Sequence, residues 1–129
     1  MGKALLAQYD RGRPRIIEFN YDGSPTDYGD LGYQAIGSGD IFARATLMGQ
    51  DTHDLTLDQA TILGYMTVQK AIELAALGLN FPIDVWTLSM RDGSPKVERL
   101  GDSQKKALSD AVAAISEAQR AVLLSHPSH

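Results

Sequence analysis

The feature that most constrains this chain is a change of hydrophobic period at Gly37-Ser38-Gly39. Before these glycines the apolar residues alternate in short runs separated by turn-forming clusters. After them the apolar spacing lengthens to about 3.6 residues, the signature of helix. Ala4-Leu5-Leu6-Ala7-Gln8-Tyr9 and the run from Pro14 through Ile16-Ile17-Glu18-Phe19 read as strands. Asp10-Arg11-Gly12-Arg13-Pro14 between them reads as a hairpin turn, because glycine tolerates positive φ and proline opens the next strand. A third strand is expected at Tyr33 to Ile36, running directly into the glycines.

Beyond the switch, Ile41, Phe42, Ala45 and Leu47-Met48 suit a short helix ended near Gly49. Thr56-Leu57-Asp58-Gln59 has the form of a capping box, so a second helix should start there and run to about Leu77, with Gly78 as its C-terminal cap. Leu57, Ala60, Leu63, Thr67, Ala71 and Leu74 form one stripe of it, and Ile62, Met66 and Ile72 widen that stripe. A stripe so wide suits packing on two neighbours at once. Phe81 to Leu88 alternates as a strand, Arg91-Asp92-Gly93-Ser94-Pro95 is a hairpin turn signal, and Lys96 to Leu100 returns. Asp102 or Ser103 should cap a last helix carrying Leu108, Val112, Ile115 and Val122. The order β-β-β-α-α-β-β-α, with hairpins, points to an α+β layered domain and not to a doubly wound parallel one. One domain over residues 1–124 and a frayed tail at 125–129 are expected.

Composition narrows the function classes. The chain has 129 residues, 43% hydrophobic and 22% charged, with a formal net charge of −4 and no cysteine. Disulfides, thiol catalysis and thiolate metal sites are excluded, and the absence accords with a reducing compartment. Lys and Arg are scattered and the balance is acidic, which argues against a nucleic-acid face. The apolar patch near Met1 is too short for a signal peptide, and nothing approaches the about 20 apolar residues of a membrane span. The expected setting is cytoplasmic, with neither membrane nor nucleic acid as partner.

Several clusters bear on chemistry. Gly37-Ser38-Gly39 at a strand-to-helix junction has the form of an anion cradle, since helix N-termini present free amides. The dinucleotide fingerprint, however, needs glycine where Phe42 stands, and a nucleophile elbow needs Gly-x-Ser-x-Gly, so a tight turn is the plainer reading. Asp51, His53 and Asp54 offer metal-ligand chemistry, but no second cluster supports them and a solvated interhelical loop is favoured. Asp22-Gly23-Ser24-Pro25 reads as a turn, and the three carboxylates from Asp22 to Asp30 lack calcium-loop spacing and read as a polar loop. Trp86 with Phe81 reads as core more readily than as a binding surface. His126 and His129 lie in the tail. No cofactor site emerges.

Three segments, in this order, resemble the proteasome family of N-terminal-nucleophile hydrolases: Tyr33 to Gly39 opening a helix, the helix start Leu55 to Ala60, and Pro82-Ile83-Asp84-Val85 followed by a turn and Val97-Glu98-Arg99-Leu100. The hairpin at residues 4–20 is similar to that family's central strands. The resemblance implies a partial αββα sandwich of antiparallel sheets, the C-terminal half of the family fold. Three strands of one sheet, two of the other and one layer of helices would come from this chain, built into stacked rings with its own copies or with related subunits. It also implies that the nucleophilic Thr and the Asp and Lys that tune it lie N-terminal to Met1. A nucleophile of that class uses its own α-amino group as base, so the chain alone should not cleave peptides. Ser38 falls where catalytic members keep a helper serine. Where they carry Arg-Asp-x-x-Ser-Gly-Gly, this chain has Ala75-Ala76-Leu77-Gly78-Leu79-Asn80-Phe81. The helper Asp and second serine are absent, which favours a non-catalytic assembly role. A peptidase active only when joined to its N-terminal half, and an unrelated α+β binding module, are the alternatives.

Overall fold

A computed structural model describes residues 3–11, 13–29, 31–37, 39–75 and 82–126. Among these, β1 (Ala4–Asp10) and β2 (Arg13–Phe19) form an antiparallel hairpin with Ala7 opposite Ile16. Arg11 takes the left-handed conformation at the turn, φ 54°. Pro14 sits opposite Tyr9, at a position whose nitrogen faces away from β1, so the missing N–H removes no ladder bond.

The third strand is not where the apolar pattern put it. It is β3 (Pro25–Asp27), paired with β2 so that Glu18 faces Thr26. Tyr33 to Ile36 carries no regular structure. Local polar bonding decides this. The Asp22 carboxylate accepts from the Ser24 amide at 2.9 Å and from its hydroxyl at 2.6 Å. The Asn20 amide donates to the Ser24 carbonyl at 2.9 Å, and Gly23 turns the chain with φ 86°. Short polar side chains that satisfy nearby backbone groups thus make the expected turn at Asp22 to Pro25 the tip of a second hairpin. Gln34 does the reverse, spending its side chain on Glu18 and on the Ala35 amide.

Helix α1 (Asp40–Leu47) begins from Gly39 and stops at Met48-Gly49. Helix α2 (Leu57–Ala75) opens with the expected capping box: the Gln59 amide donates to Thr56 Oγ1 at 3.2 Å, and the Thr56 amide donates to Gln59 Oε1 at 3.0 Å. The proposed cap Gly78 lies outside the described residues. Strand β4 (Trp86–Arg91) starts later than Phe81 and continues to Arg91, because the turn is only Asp92-Gly93, both at positive φ. Strand β5 (Ser94–Arg99) pairs with it, Leu88 opposite Val97. Helix α3 (Asp102–Ser125) is capped by Gly101 and not by Asp102 or Ser103, since Gln104 reaches back to accept from the Gly101 amide at 2.9 Å.

The fold is α+β, with antiparallel sheets in the order β1-β2-β3 and β4-β5. Helix α2 is the hub, packing on α1, α3 and β4. Ala43, Leu47, Met66, Ala71, Ile83, Leu108 and Val112 make the core, whereas Leu57 and Leu74 from the expected stripe are exposed. The chain presents 9254 Å² of surface, against about 6,700 Å² for a compact monomer of 14.0 kDa. Large apolar side chains stand on this surface, among them Leu5, Leu6, Trp86, Val97, Val122 and Leu123.

Candidate functional site

The glycine turn is held from both sides by side chains that the sequence pattern did not single out. Gly37 adopts φ 103°, and its carbonyl accepts from the Asp40 amide at 3.1 Å. No atom crowds the position a Cβ would take there, so backbone conformation alone asks for glycine. Gly39 is buried, and its carbonyl accepts from the Ala43 amide to start α1. Ser38 itself lies outside the described residues.

Glu18 on β2 is 3% exposed and accepts from Gln34 Nε2 at 3.3 Å, with Lys3 Nζ at 3.8 Å. Gln34 Oε1 in turn accepts from the Ala35 amide at 2.9 Å, and Arg44 on α1 donates to the Ala35 carbonyl at 3.5 Å. A chain of polar contacts therefore joins β2 to the strand-to-helix junction and to α1. Arg44 also meets Asp40 at 3.2 Å. Because Asp40 places a carboxylate in the first turn of α1, that terminus opposes a phosphate. Glu18 was legible only as one polar residue in an apolar strand, and its partner Gln34 is remote in sequence.

Asp51, His53 and Asp54 do not converge on a metal. Asp51 Oδ1 accepts from the His53 amide at 3.1 Å and faces the His53 ring at the same distance. The amide bond, then the ring, holds the Asp51 carboxyl below its ordinary range. Among the described residues no group of three possible ligands is close enough to hold an ion. The neighbouring Thr52 donates to the Gly32 carbonyl at 3.2 Å, docking this loop on the segment before the glycine turn. Gly32, unremarked in the sequence, has φ 83°, and a Cβ there would run into Thr52 Oγ1.

Trp86 corrects the reading that made it core. It is 59% exposed, its indole donates to Asp84 Oδ2 at 3.2 Å, and the Arg99 guanidinium lies 5.7 Å from its ring. Arg99 also donates to Asp84 Oδ1 at 3.0 Å. The indole first, then Arg99, lowers the Asp84 pKa. Phe81, its supposed companion, lies outside the described residues, as does His129. His126 is exposed at the end of α3. Between α2 and residues 83–88 runs a groove of about 340 Å³, touched by Ala60, Gly64, Val68 and Trp86. Among the described residues no helix is long and apolar enough to cross a membrane.

Residues 2–85 match the proteasome subunit family, from β1 through α2 to the residue before β4. The chain belongs to the proteasome subunit family. The junction built around Gly37 and Gly39 falls within the matched region, so this proteasome-family chain carries the turn on which the sequence resemblance first rested. Membership also disposes of the unrelated binding module as a reading.

Proposed function

We propose that this proteasome-family chain works as a non-catalytic assembly subunit within a proteolytic particle, in the reducing cytoplasm. The observation that carries the reading is the surface of 9254 Å², roughly 2,500 Å² more than a compact monomer would present. Stable pairings bury about 800 Å² per partner, so the surplus is ample for neighbours on more than one side. The stretch Ala75 to Phe81 adds support, since it holds neither carboxylate nor hydroxyl where catalytic relatives are expected to carry both. Partners would be further copies or related subunits, and no cofactor is called for.

The test pairs native mass with activity. Light scattering across a dilution series should give a particle several times 14.0 kDa, while the same sample leaves fluorogenic peptides uncut. Hydrolysis by the purified chain, or a persistent monomer, defeats the proposal. The retained Gly37-Ser38-Gly39 turn supports a second reading, a threonine-type peptidase active only with its N-terminal half. Peptide cleavage that appears when a family N-terminal half is added would favour it.

A further inference from the structure

The two sheets end in four outer strand edges, and they are not equally protected. An open edge displays unpaired N–H and C=O groups, which proteins usually guard with proline, charge or brevity. β3 is guarded: it has only three residues, including Pro25 and Asp27. β5 is guarded by Pro95, Lys96, Glu98 and Arg99. By contrast, β1 from Ala4 to Tyr9 and β4 from Trp86 to Met90 contain neither proline nor charge.

The ladder bonds fix which groups point outward. The Leu100 amide donates to the Val85 carbonyl, so Val85, Thr87, Ser89 and Arg91 face β5 and Trp86, Leu88 and Met90 point their backbone outward. On β2, Ile16 and Asn20 bond towards β3, which leaves Leu5, Ala7 and Tyr9 of β1 directed outward.

We infer that β1 of a second copy adds to the open edge of β4, antiparallel, with Ala7 opposite Leu88. In this register Leu5 meets Met90 and Tyr9 meets Trp86, apolar pairs of the kind that stabilise sheets. Charges agree at both ends: Lys3 falls opposite Asp92, and Arg11 opposite Asp84. A shift of two residues either way loses both oppositions, so the ends set the register. Self-pairing is disfavoured by charge: β4 with a second β4 about Leu88 sets Asp84 against Asp92 at both ends, and β1 with a second β1 about Ala7 sets Lys3 against Arg11. Among the described residues the sheet that carries β1 makes no substantial helix contact, so it brings no helix of its own to the edge of β4. This deepens the assembly reading by naming the surface and its occupant, and it rests on that reading only in requiring that copies meet.

These 129 residues include no cysteine, so a disulfide can report the register. Leu6 and Ser89 would face each other at a closely spaced, non-hydrogen-bonded position, within disulfide reach. Full-length Leu6→Cys and Ser89→Cys chains, purified separately and mixed under mild oxidation, should cross-link at least about tenfold more than Leu6→Cys with Lys96→Cys on guarded β5. Adding Leu88→Pro to the Ser89→Cys chain removes one outward N–H without touching the β4–β5 ladder, and should abolish the excess. Hydrogen exchange on the unsubstituted protein is the independent measurement. The amides of Trp86, Leu88 and Met90 should be protected in the particle and open on dilution. Equal cross-linking with the Lys96→Cys control overturns the inference. A particle that persists while those amides exchange freely also overturns it, but leaves the assembly role standing.

Discussion

Two glycines show how unevenly single residues declare themselves. Gly37 stands in a glycine pair at a change of period, and the sequence marks it as a turn. Its left-handed φ of 103° is the whole reason for it, because nothing crowds the site. Gly32 has a second reason that no local pattern reveals, a contact with Thr52 brought in from 20 residues away. Gly37→Ala should therefore cost about 1 kcal/mol of backbone strain, while Gly32→Ala adds a collision and should cost about 2 to 3 kcal/mol. Urea unfolding of the two variants should separate them in that order. Glu18 is a case of the same kind: the partners of its buried carboxylate, Gln34 and Lys3, are both remote in sequence.

At the scale of elements, the helices were legible because their signals are local. The Thr56–Gln59 box and the helical spacing sit in one stretch of chain. The third strand was not, because a few side-chain bonds at Asn20 to Ser24 outweighed a modest apolar run at Tyr33 to Ile36. Those bonds should make β3 sensitive to acid. Ser24, by hydroxyl and then amide, lowers the Asp22 pKa, while the Gly29 amide and then Arg15 lower that of Asp27. A carboxyl depressed on folding adds stability that is complete above its unfolded value and disappears as pH falls through its folded value. Below about pH 4, nuclear Overhauser contacts between Glu18 and Thr26 should fade while the α2 signals persist. Contacts unchanged at pH 2 would show that the turn does not depend on these carboxylates.

Across the whole molecule, the division into three strands and two was legible, and membership of the proteasome subunit family accords with it. A partial sandwich also leaves its sheets poorly covered, and the exposed Leu5, Leu6, Trp86 and Val97 accord with that. An unfolded chain of this mass exposes about 20,000 Å², so folding hides about 11,000 Å² where a compact domain would hide about 13,600 Å². Since the urea m-value follows the surface exposed on unfolding, a dilute monomer should give a value roughly a fifth below that of compact domains of equal length. A normal m-value would mean that the dilute monomer buries as much as a closed domain.

The pattern of contacts also bears on how fast the protein forms. Each substantial contact joins elements that follow one another along the chain, except α3 on α2, which spans only the β4–β5 hairpin. Short loops close at little entropic cost, so such a chain should reach its own native contacts quickly, hairpin by hairpin, as it leaves the ribosome. The slow step that remains is the meeting of separate chains, and its rate is set by concentration.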